Sequence, residues 1–151
     1  MGVFPSSLVA FKLGSWVSAL AVAASSWASA GLEAESERAD RRPLAIDRSP
    51  AEIVSLVSRA FEDEEDWQVR SRQPDVGVVT LVHYTRFFRF PDDIEVRVEA
   101  NRQGSGVLYA RSRSRIGFYD FGQNARNLEQ LTAIVSARCA EEGVDCHPLG
   151  R

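Results

Sequence analysis

Arg111, Arg113 and Arg115 alternate with Ser112 and Ser114. In an extended chain successive side chains point to opposite faces, so this run sets three guanidiniums on one side of a sheet. A guanidinium is always charged, and its paired donors match carboxylates and phosphates. The same stretch leads into Gly117, a turn residue suited to positive φ, and Asp120, which has the chemistry of a helix cap. Asn124 and Arg126 then rise from the start of the helix that follows. Two readings are open. One is a ladder of exposed ion pairs, each contributing little. The other is a pocket in which guanidiniums and helix N-terminal amides converge on an anion. Asp120 weighs against the pocket, because a capping carboxylate occupies those amides. The ladder is favoured, since charge runs are usually solvated faces.

Asp92 and Asp93 are a second candidate pair, but neighbours on a strand face opposite ways. An enzyme built on either acid with Arg97, Arg115 and Asp120 is the alternative to a binding role. The sequence contains no nucleophile elbow, no Cys-His pair with an orienting third group, no phosphate loop and no dinucleotide fingerprint. No motif calls for a cofactor. Cys139 and Cys146 are the only cysteines, and with His147 they do not make a zinc signature. In an exported chain a lone pair of cysteines is more often a disulfide.

The elements that must position these groups are readable. Ser49-Pro50-Ala51-Glu52 is a capping box with proline at the first helical position. Ile53, Val54, Val57, Ala60 and Phe61 follow at helical spacing. The acidic run Glu62 to Asp66 opposes the dipole at that helix's end. Strands are expected over 67–72, 76–85, 94–100 and 107–114, with Gly104-Ser105-Gly106 turning the last pair. Pairing Ala100 with Gly106 sets Val98 opposite Leu108 and Val96 opposite Ala110 on the core side. It also sets Glu95 against Arg111 and Asp93 against Arg113 on the other side, with Arg97 beside Tyr109. A slip of one residue would drive Arg111 inward. A long last helix carries the stripe Phe121, Ala125, Leu128, Leu131, Val135 and Cys139, and Gly143 suits its left-handed end. The expected fold is therefore α+β: a four-stranded antiparallel sheet with two helices on one face.

The 151 residues carry a net charge of -3 at pH 7, which excludes a general attraction to nucleic acid. Residues 1–30 hold a short apolar run ending Ala28-Ser29-Ala30, the pattern of an export signal. Residues 31–48 read as a flexible charged linker, 49–142 as the folded domain, and 143–151 as a tail tied back by Cys146. An exported location follows, with the thylakoid lumen or another plastid compartment as the alternative. Membrane association is expected only if residues 1–30 are retained.

Ser114-Arg115-Ile116-Gly117, Asp120, Gly122, Asn124 and Arg126 resemble the signature of domain-of-unknown-function family 1499, as does Thr85 to Asp93 with the strand after it. The resemblance covers about residues 49–137. It implies a small, often exported or membrane-associated protein and no particular activity. The residues themselves support a non-catalytic binding or assembly module that engages a protein or an anionic small molecule through the arginine face and the 114–126 turn. Tyr84, Phe87, Phe88 and Phe90 are expected to pack in the core or at an edge. If exposed, they would suggest a protein or lipid partner; if they line a cavity, a lipid- or pigment-binding domain.

Overall fold

The N–H and Oγ of Ser49 both donate to Glu52 Oε2, at 2.9 and 2.6 Å. With Pro50 at the first position this fixes the start of α1, Pro50–Glu62. These bonds hold the Glu52 carboxyl below its usual range. The expected stripe of α1 is buried, joined by Leu56 and Ser58. The computed structural model describes residues 29–33, 36, 38–116 and 122–150.

Among the described residues the sheet has seven strands, not four. They are β1 (Ser29–Gly31), β2 (Leu44–Ile46), β3 (Trp67–Gln73), β4 (Val78–Tyr84), β5 (Pro91–Ala100), β6 (Gly106–Ser114) and β7 (Cys146–Pro148). The order is β3-β4-β5-β6-β2-β7, with β1 also paired to β6, and every pairing is antiparallel. The three additional strands have three residues each, too few for a period-two pattern to declare itself. One of them corrects the reading of 31–48 as a solvated linker. Leu44 and Ile46 are both buried and seat β2 between β6 and β7. Strand β1 straddles Ala30, the residue read as the end of an export signal.

The register of β5 on β6 is the expected one, from Ala100 opposite Gly106 to Asp93 opposite Arg113. Val79, Leu81, Ile94, Val96, Val98, Leu108 and Ala110 share one core with α1 and with Leu128, Leu131, Val135 and Cys139 of the second helix. That helix, α2, spans Gln123–Glu141. Its N-cap is Gly122 at φ 77°, not Asp120. Asp120, Gly117 and Phe121 lie outside the described residues. Gly143 takes the left-handed position after α2, at φ 64°.

Gly77 also has a left-handed φ, 69°. A Cβ there would stand 2.4 Å from Val98 O, so the turn before β4 must be glycine to approach β5. No helix among the described residues is long and apolar enough to cross a membrane.

Candidate functional site

The alternation of β6 divides the candidate residues between the two faces of the sheet. Arg111 and Arg113 are exposed on the face away from the helices, and Arg115 follows just beyond the strand. On β5, Asp93, Glu95 and Arg97 share that outer face. Arg115 holds Asp93 with two bonds, Nε to Oδ2 at 2.7 Å and Nη2 to Oδ1 at 2.5 Å. The bonded carboxylate raises the Arg115 pKa above its usual value. Arg97 Nη2 donates to Glu95 Oε1 at 3.0 Å. Asp93 and Glu95 therefore take partners other than the arginines directly across from them. Arg111 and Arg113 make no ion pair among the described residues, and they line a groove of about 410 Å³ with Thr80, Asp93 and Glu95.

The inner face carries a different set. Register places Trp67, His83, Asp92 and Ser114 in one row across β3, β4, β5 and β6. The first turns of α2 cover the end of this row. Asn127 Nδ2 donates to Asp92 Oδ2 at 2.8 Å and to Ser112 Oγ at 3.2 Å. Gln123 Nε2 donates to Asn127 Oδ1 at 2.7 Å. Ser112 Oγ donates to Asn124 Oδ1 at 2.6 Å, and Asn124 Nδ2 donates to Ser114 Oγ at 3.0 Å. Asp92, Ser112, Asn124 and Asn127 are all buried, so these bonds replace the water each group gives up.

Asp92, Ser114 and Asn124 are thus brought together, and Asp93 meets Arg115. Arg97, Arg111, Arg113 and Arg115 are not brought to the start of α2, because the sheet lies between them and the helix layer. This corrects the picture of guanidiniums and helix amides converging on one anion. The same separation keeps Asp92 from Arg97 and Arg115, whereas Asp93 shares the outer face with both; Asp120, the remaining member of that Asp/Arg set, lies outside the described residues. Arg126 is exposed on the helix side, where its Nη2 donates to Gln123 Oε1 at 3.1 Å.

His83, Ser112, Gln123 and Asn127 are the residues that sequence reasoning passed over. Asn124 and Asn127, three apart on the buried side of a helix, were the available signal. His83 packs against Trp67 in a tilted arrangement with ring centroids 4.8 Å apart, and Trp67 against Phe61 likewise at 4.7 Å. Burial pushes the His83 pKa down; the Asp92 and Asp66 charges oppose this in part. The row does not make a hydrolytic triad. That chemistry needs the imidazole between hydroxyl and carboxylate, whereas here Asp92 stands between Ser114 and His83.

Cys139 and Cys146 are free thiols, not the expected disulfide. Cys139 on α2 is buried, and burial pushes its pKa up to about 12. Cys146 on β7 is half-buried and raised by the same cause. Ser136 Oγ lies 4.0 Å from Cys146 Sγ.

The model of one family, described as protein of unknown function (DUF1499), matches residues 17–135. The chain belongs to that family. No curated protein matches it.

Proposed function

We propose that this member of the DUF1499 family is a non-catalytic docking module that holds a protein partner through the β4–β5 loop and the adjoining arginine face. The observation that supports this reading is the exposure of Phe87 and Phe88, 90% and 76%, on a closed loop. Thr85 N–H donates to Phe90 O, Arg89 N–H donates to Thr85 O, and Phe90 N–H donates to Thr85 Oγ1, each at 2.9 Å. Arg89 takes φ 53° to close the turn, a conformation that costs a side-chain-bearing residue about 1 kcal/mol. A loop organised to this degree holds apolar rings in water, and such patches mark contact sites. Phe90 stacks on Phe88 with centroids 5.4 Å apart. Arg115 N–H donates to Pro91 O, which sets the half-exposed Ile116 beside the loop's exit. Aromatic rings and arginines dominate binding energy at protein interfaces. The partner surface that fits has an apolar hollow with an acidic rim.

Partner recovery from native extract, followed by titration of the recovered protein, tests the reading. The chains compared are the wild type, Phe87→Ser/Phe88→Ser and Arg111→Ser/Arg113→Ser. All these side chains are exposed, so the three should melt within about 2 °C of one another. The expected result is a partner weakened at least about tenfold by the aromatic variant and less by the arginine variant. A partner held equally by all three, or retention on lipid vesicles alone, would overturn it.

A further inference from the structure

We propose that the cleft between the acidic α1–β3 connection and α2 is a separate binding site for a small zwitterion. The cleft encloses about 660 Å³, the size of a small-molecule site. Trp67, His83, Glu64, Glu65, Arg86 and Gln130 are among the residues that line it. Its charge is therefore of both signs. Among the described residues Glu64, Glu65 and Arg86 make no ion pair, so these charges are not neutralised by one another.

His83 supplies the second, independent sign of a ligand. It is 5% exposed, and its Nδ1 is the one buried side-chain nitrogen or oxygen without a hydrogen-bond partner among the described residues. An orphaned polar atom in a native structure calls for an explanation. The neighbouring row shows that this chain satisfies buried polar groups when nothing else is required of them. Asp92, Asn124 and Asn127 are all bonded, while His83, next in register to Asp92, lines the cleft and keeps a buried Nδ1 without a partner among the described residues. A ligand of matching chemistry presents an ammonium to Glu64 and Glu65, a carboxylate to Arg86 and a hydrogen-bonding group to His83. The flat face of Trp67 takes its apolar part. Free amino acids have this pattern. The site does not involve the exposed rings of Phe87 and Phe88, and it stands whether or not they dock a partner.

The chain has two histidines, His83 and His147, so the imidazole Cε1–H NMR signals are two and are assigned with His147→Gln. The probes are the free L-amino acids, with their N-acetyl and amide derivatives as singly charged controls. A free amino acid is expected to move the His83 signal saturably and leave that of His147 unmoved. Blocking either end of the probe, or substituting Arg86→Ala or Glu64→Gln/Glu65→Gln, is expected to weaken binding about tenfold, the value of one charge-assisted contact. Phe87→Ser/Phe88→Ser should bind the same probe as the wild type. The proposal is overturned if no free amino acid moves the His83 signal. It is equally overturned if blocked probes bind as well, or if neither charge variant changes affinity.

Discussion

Asn127→Ala removes the amide that donates to buried Asp92 at 2.8 Å and to Ser112 at 3.2 Å. It also strips Gln123 Nε2 of its acceptor. A hydrogen bond to a charged group contributes about 1.5–3 kcal/mol, and the deleted atoms leave a small void under α2. The expected cost is therefore about 2–4 kcal/mol. For a domain of this size that lowers the melting temperature by about 6–15 °C. The contribution specific to the pair is separable with Asp92→Asn. If a stranded buried carboxylate causes most of the loss, Asp92→Asn should recover part of it in the Asn127→Ala background. The double-mutant cycle would then show coupling of about 1 kcal/mol or more. Urea denaturation of the four chains, with circular dichroism as the signal, measures each term. A loss below about 0.5 kcal/mol for Asn127→Ala, or strict additivity in the cycle, would refute the claim that this amide secures α2 to the sheet.

Gly77→Ala should destabilise by about 2–4 kcal/mol in the same assay, because its Cβ meets Val98 O at 2.4 Å and its φ is left-handed. Arg115→Ala should leave the denaturation midpoint unchanged within error despite its two bonds to Asp93, since both side chains are exposed. A measurable loss would show that the outer-face pair is structural. His83 has a pKa lowered from 6.5 by burial, so the unfolded chain takes up its proton first on acidification. Stability should be full above about pH 6.5 and fall as pH drops toward the folded value, by at most about 1.4 kcal/mol per pH unit. His83→Phe should flatten that limb in denaturation series at pH 7 and pH 5.

What could be read in the sequence is what repeats. Helix α1 announced itself through Ser49, Pro50 and Glu52, and the β5–β6 register through alternation and opposite charges. The short strands carry no period, so Leu44 and Ile46 passed for part of a polar linker although both lie in the core. The faces of Arg111 and Ser112 were also legible, from parity alone. What parity does not give is the layer into which the chain turns after β6. The arginine row and the start of α2 are close in sequence yet lie on opposite sides of the sheet. Local spacing contains no term for that.

The adjacency of Asp92 and Asp93 acquires a meaning from this separation. Two neighbouring carboxylates cannot serve one site on a strand, which is why they made a poor catalytic pair. They can serve both faces at once. Asp92 points inward and accepts from Asn127 on α2; Asp93 points outward and grips Arg115. Residues 115 and 127 bracket the passage from the sheet to the helix layer, so one dipeptide of β5 fixes both ends of that passage from opposite sides. The inner contact is buried and should carry the stability; the outer is exposed and should carry little. The described parts of the two family-like segments, 85–93 and 114–116 with 122–126, are then one structural unit. Its outward products are the closed aromatic loop and the arginine face, and its inward product is the polar row ending at His83.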